Sequence, residues 1–134
     1  MRKIQFICLI IMISLAAAAC ISGPVSIPAD LSTAELIQRG QEASDKNRYT
    51  QAIHYYEAIL ERYPFDLDSV CAAEYEIAYI HYKQKKYETA RTEFNALLAR
   101  YNTLDAELLP QQFKTLAGIV LKRMDDQGKG LPRE

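Results

Sequence analysis

At 134 residues, with 49% apolar side chains, the chain can fill one modest core and no more. Sixteen basic residues against seventeen acids give no basic footprint for nucleic acid and no polybasic membrane patch. Three cysteines make no disulfide framework, so packing must hold the fold. The chain opens on Met1-Arg2-Lys3, followed by an apolar run from Ile4 to Leu15 broken only by Gln5 and Ser14. That run is shorter than the about 20 apolar residues a membrane-spanning helix needs. With small residues Ala16 to Ala19 behind it, it has the form of a cleaved export signal over residues 1–19. Cleavage removes Arg2 and Lys3 and leaves fourteen basic residues against seventeen acids, a net charge of −3.

Cys20 sets two export readings side by side. Small residues immediately before a cysteine, here Ala17-Ala18-Ala19-Cys20, resemble the bacterial lipoprotein signal, in which the thiol is acylated and the cysteine becomes the new terminus. The alternative is an ordinary A-x-A cleavage site that releases an unanchored protein and leaves an exposed thiol. The lipoprotein reading gives that thiol a use and is preferred; Ile21 after the cysteine resembles the pattern sent on to the outer membrane. Cys8 leaves with the signal. Cys71 is expected to be a small apolar residue near a helix start.

Residues 20–31 carry Gly23, Pro24 and Pro28 and no periodic face, and are expected to be a flexible linker. Ser32-Thr33-Ala34-Glu35 fits a capping box, so a helix should start near Thr33. From there the sequence repeats itself at an offset of 38 residues: Tyr49 with Tyr87, Ala52 with Ala90, Leu60 with Leu98, Arg62 with Arg100 and Tyr63 with Tyr101. Gly40 with Ala78 and Tyr56 with Phe94 are conservative pairs in the same register. A period of this length implies stacked helical hairpins. Gly40 and Ala78, facing Ala52 and Ala90, are expected where the two helices of each hairpin cross closely. Tyr56, Ile59 and Leu60, like Phe94, Leu97 and Leu98, share one helical face that should stack on the next hairpin.

Helices are predicted at 33–46, 50–63, 70–85, 88–101 and 110–125. Leu67 to Val70 either lengthen the third or form a longer turn, with a cap among Asp66, Asp68 and Ser69. The fifth, carrying Phe113, Leu116, Ala117, Val120, Leu121 and Met124 at helical spacing, is a cap, because the polar stretch 127–134 after it should be a disordered tail. Lys83-Gln84-Lys85-Lys86 complements the end of the third helix.

These residues resemble the tetratricopeptide (TPR) repeat. Leu36, Arg39, Gly40, Ala43, Ala52, Tyr56 and Pro64 take its places in the first unit; Glu74, Ile77, Ala78, His81, Ala90, Phe94 and Asn102 take them in the second. Arg39, Glu74 and Asn102 depart from the pattern. The implied fold is all-α: a short right-handed TPR solenoid over residues 32–126, with repeats at 33–66 and 71–104 and a capping helix at 110–125.

No nucleophile elbow, phosphate loop or HExxH is present, and no cofactor, metal or small-molecule substrate is expected. His54 and His81, the only histidines, lack companions at metal-ligand spacing, and His81 is expected to be packed in the core. Tyr75, Tyr79 and Tyr82 fall outside the repeat register, about 110° round the third helix from Ile77, Ala78 and His81. In TPR proteins that side lines the concave surface, to which the first repeat contributes Ile37 and Gln41. The five residues form a candidate partner-binding groove; equally, the rings fill space between the first, third and fifth helices. Ile37 and Gln41 stand where some TPR domains place a carboxylate clamp, which disfavours chaperone-tail binding.

The stretch Arg48-Tyr49 through Arg62-Tyr63-Pro64-Phe65, followed by Ala73 to Tyr87, resembles the BamD (YfiO) family of outer-membrane assembly lipoproteins over about residues 33 to 102. The resemblance implies a non-enzymatic adaptor, anchored in the outer membrane through lipid on Cys20 and facing the periplasm, that binds a protein or peptide partner in envelope assembly. The alternative is a pilotin-like or structural subunit that uses no groove.

Overall fold

The computed structural model describes residues 26–129. The expected signal, Cys20 and the residues after 129 lie outside the described residues. Among the described residues there are five α-helices and one 3-10 turn: α1 Thr33–Asp45, α2 Tyr49–Arg62, α3 Leu67–Lys83, α4 Tyr87–Arg100, the turn Ala106–Leu108, and α5 Gln111–Lys129. α1 pairs with α2 and α3 with α4 as antiparallel hairpins; α2 packs on α3, and α5 packs on α4 and α3. The architecture is a short TPR-like solenoid with a capping helix.

Local chemistry sets the helix ends. The Ser32 hydroxyl accepts from the Glu35 amide while the Glu35 carboxylate accepts from the Ser32 amide, completing the capping box. The Ser32 hydroxyl also donates to the Glu35 carboxylate at 2.7 Å, and this bond with that from the Ser32 amide holds the Glu35 carboxyl below its usual range. Asp66 caps α3 by accepting from the Ser69 amide at 3.1 Å, so Leu67 to Val70 extend the third helix. α2 and α4 start without a side-chain cap. Each instead follows a residue of left-handed backbone, Asn47 at φ 56° and Lys85 at φ 62°, which end the first helix of each hairpin at the same repeat place. α5 continues to Lys129, past the expected end at 125, so the first residues of the expected tail are helical.

The expected linker is corrected for its last residues. Arg62 donates to the carbonyls of Pro28 and Ile27 at 2.7 and 3.2 Å, and the Tyr63 hydroxyl donates to the Leu31 carbonyl at 2.6 Å. Leu31 and Leu36, on either side of the Ser32 cap, are buried in one cluster, as in a hydrophobic staple. Residues 27–31 are therefore fastened to the end of α2.

Two apolar clusters divide the core. One holds Leu36, Ala52, Tyr56, Ile59 and Ile80; the other holds Cys71, Tyr75, Ala78, Phe94, Leu97, Ala117, Val120 and Met124. Cys71 is fully buried, and burial pushes its thiol pKa up, which leaves it unreactive at neutral pH. Of the α5 face expected to pack, Ala117, Val120 and Met124 are buried, while Leu116 is 40% exposed. Two departures from the repeat pattern follow from their surroundings. Arg39 is exposed on the outer side of α1, where no described helix packs, whereas Ile77, at the same repeat place, packs against the first cluster. Glu74 accepts from the guanidinium of Arg100 at 3.1 and 2.6 Å, an ion pair across the second hairpin.

Gly40 is fixed by a close approach. A Cβ at this position would stand 2.6 Å from Cζ of the buried Tyr56 ring, and no such atom would lie within 4 Å at Gly118. Gly40→Ala is therefore expected to lower the unfolding free energy by about 1–3 kcal/mol through overpacking. Gly118→Ala is expected to raise it by up to about 1 kcal/mol through helix propensity. Urea denaturation of the two variants beside wild type checks both signs.

Candidate functional site

The first helices of the two hairpins, α1 and α3, flank a recess of about 420 Å³. Its walls carry Gln41, Ser44 and Asp45 from α1 and Tyr75, Glu76, Tyr79 and Lys83 from α3. The four-residue spacing of Tyr75, Tyr79 and Lys83 brings them to one side of α3. Of the five expected groove residues, Gln41, Tyr75 and Tyr79 line this recess. Ile37 is packed against the first core cluster and Tyr82 against the second.

The rings form a continuous ladder. Tyr75 and Tyr79 stack with centroids 5.8 Å apart and planes within 10°, and Tyr79 stacks on Tyr82 at 5.8 Å and 25°. One end of the ladder leans on Tyr87, the other on Phe94 and Phe113, which lie 5.8, 5.7 and 5.8 Å from their nearest ring. Tyr75 is only 9% exposed, and burial together with the neighbouring Glu76 pushes its hydroxyl up to about 12. Its ring does serve as packing between α3, α4 and α5; its edge and the half-buried Tyr79 are what the recess receives.

Three charged residues that sequence reasoning did not assign to the groove set the electrostatics: Asp45, Glu76 and Lys83, the last expected only to complement the end of its helix. Lys83 donates to the Ser44 hydroxyl, which bridges the two hairpins. Its ammonium lies 5.2 Å from the centroid of Tyr49 and 5.4 Å from that of Tyr79, held between two rings. Glu76 is half-buried on the recess wall and accepts no hydrogen bond from any described residue. Burial raises its carboxyl pKa and the nearby Asp45 adds to this, while Lys83 opposes it. The spacing of Glu76 and Lys83 on a helix was visible in the sequence; their convergence on Asp45 of another repeat was not.

The histidines take no part. His81, expected in the core, lies between α3 and α4 with part of its ring exposed, 2.7 Å from a Glu93 carboxylate oxygen. His54 is exposed. Among the described residues no group of three or more His, Cys, Asp or Glu is placed to hold a metal ion, and no helix is long and apolar enough to cross a membrane.

The pKa shift of Glu76 carries a sign. A carboxyl raised by folding binds its proton more tightly in the folded state, so folding loses stability as pH rises through the ordinary glutamate range, about 4.3, toward the folded-state value. Glu76→Gln removes that loss. It is expected to raise the urea midpoint at neutral pH, with the gain fading as the pH approaches about 4.

The family model described as YfiO, outer membrane lipoprotein, matches residues 29–107, which span α1 through the 3-10 turn. A protein of Treponema pallidum (strain Nichols), described as uncharacterized, is 33% identical over 108 residues, covering 79% of this chain. The chain spans 43% of that relative's length. No solved structure matches. The match covers both hairpins and every α1 and α3 residue of the recess, and the chain belongs to the YfiO family of outer membrane lipoproteins.

Proposed function

We propose that this chain is a non-enzymatic adaptor of the cell envelope, anchored through lipid on Cys20 and facing the periplasm, that holds an extended segment of a protein partner in the recess between α1 and α3. The observation that carries this reading is Glu76: a half-buried carboxylate beside a tyrosine shelf, with no hydrogen-bond donor of its own. Its oxygens are open to water, and its charge, disfavoured by burial and by Asp45, would gain from a bound amide or basic side chain. Tyr79 supplies rigid, amphipathic contact area next to it. Family membership supports an envelope role, since the matched family is one of outer membrane lipoproteins.

A structural subunit that uses no groove is the second reading, favoured by the burial of Tyr75 to 9%. The two part company at residues that can be changed without opening the core. Envelope proteins captured by the wild-type chain are compared with those captured by Tyr79→Ala and Glu76→Gln, each first shown to melt cooperatively. Binding in the recess is expected to weaken about tenfold or more in each variant, the effect of losing a contact worth about 1.4 kcal/mol. A partner held equally by all three chains excludes the recess and favours the structural subunit.

A further inference from the structure

Antiparallel alternation brings the start of α1, the turn between α2 and α3, and the segment between α4 and α5 to one end of the solenoid. The hydrogen bonds from Arg62 to Ile27 and Pro28, and from Tyr63 to Leu31, fasten the incoming chain to that same end. Here stand the three most exposed large apolar side chains among the described residues: Phe65 at 94%, Leu104 at 103% and Leu108 at 70%. The opposite end offers Tyr87 at 42%. Single exposed apolar side chains are ordinary; three gathered at the end where the chain enters are not.

Ile27 lies seven residue steps after Cys20. Fully extended they span about 25 Å at most, so an acyl group on Cys20 would keep this end within that distance of the bilayer. We propose that Phe65, Leu104 and Leu108 form a membrane-seating edge: their side chains enter the interface of a zwitterionic bilayer and stand the solenoid with its 46–48 and 84–86 turns away from the membrane. This rests on the anchoring reading of Cys20. Charge selects the kind of surface. Asp30, Asp68, Asp105 and Glu107 are exposed around the edge, and Asp66 lies among them. Of the cations at this end, Arg62 is engaged with the Ile27 and Pro28 carbonyls and Arg100 with Glu74, while the exposed Lys114 lies over the Tyr101 ring, 5.8 Å from its centroid, one lysine against the five acids. Such an edge is repelled by anionic headgroups and suits ammonium-bearing ones. An acyl chain together with a second interfacial contact also anchors more firmly than the acyl chain alone.

The chain contains no tryptophan, so a single one introduced at the edge reports its surroundings. The full chain is expressed in a diderm bacterium, extracted in detergent, weighed by mass spectrometry and reconstituted into phosphatidylethanolamine–phosphatidylcholine vesicles, with and without bromine on the acyl chains. Phe65→Trp and Leu104→Trp are compared with Tyr87→Trp at the opposite end. Expected are an acyl mass on Cys20, blue-shifted emission quenched by bromine for the first two, less quenching on phosphatidylglycerol vesicles, and unquenched emission for Tyr87→Trp. An acylated protein whose three reporters behave alike overturns the seating edge and leaves the anchor standing. A blue shift without bromine quenching also overturns it, since a second copy would then cover the patch. A mature protein without acyl mass on Cys20 overturns the anchoring reading and the seating edge with it.

Discussion

Each repeat buries one large ring at the same place, Tyr56 in the first and Phe94 in the second, and the rest of the structure is arranged around keeping water from both. Tyr56 is closed in by its own hairpin, because Gly40 lets α1 approach the ring face with no side chain between them. The fit is tight enough that the Tyr56 hydroxyl is buried without a partner, and burial raises its pKa. Phe94 shares its cluster with residues of α5, the last of the described helices: Ala117, Val120 and Met124, with Phe113 and Leu121 packed at its margin. The second hairpin thus depends on a helix outside the repeat. That dependence reaches the recess, since Tyr75 touches both Phe94 and Phe113 and passes its position on to Tyr79 by stacking. A site between α1 and α3 is in this way held from behind by α4 and α5.

The repeat also explains how the loops are tied. Tyr63 and Tyr101, at equivalent places, donate their hydroxyls to the carbonyl before α1 and the carbonyl before α5, Leu31 and Pro110. Arg62 and Arg100, the residues before them, hold the incoming chain in one case and Glu74 in the other. One repeated Arg-Tyr pair therefore ties two connections at the same end of the solenoid, the entry to α1 and the entry to α5. Arg91 adds an ion pair to Asp125 at 2.8 Å, which joins α4 to α5 further along.

The fold was largely legible because its signals are local or periodic. Ser32 with Glu35 announces a cap within four residues, and the 38-residue offset places both hairpins by simple comparison. What escaped depends on partners distant in sequence. The 27–31 segment is proline-broken and too short to show a periodic face, yet it docks because Arg62 and Tyr63, more than thirty residues on, offer donors to its carbonyls. Leu116 matches the apolar pattern and still faces outward, because no described helix lies beyond α5 on that side. At the recess, Tyr75 and Tyr79 stood out by breaking the repeat register. Glu76, Lys83 and Asp45 did not, since charged residues on a helix usually face water, and only the crossing of α1 and α3 brings the exposed Asp45 and Lys83 beside the half-buried Glu76. The left-handed residues Asn47 and Lys85 lay in register but carried no glycine to mark them.

The central claim, that α5 completes the second repeat and through it the recess, is open to a direct measurement. Near-ultraviolet circular dichroism and sedimentation of a chain ending at Asn102 report tyrosine packing and association together. The side chains that α5 and the turn before it bury, Leu109, Phe113, Val120, Leu121 and Met124, are worth about 1.5–3 kcal/mol each when fully covered. Whole domains have only about 5–15 kcal/mol to lose. The expected result is loss of the near-ultraviolet tyrosine signal and of cooperative melting, or association through the bared Phe94 and Leu97 face. A cooperative monomer with the tyrosine signal of the full chain would contradict it and make α5 an appendage to a solenoid that stands on two hairpins.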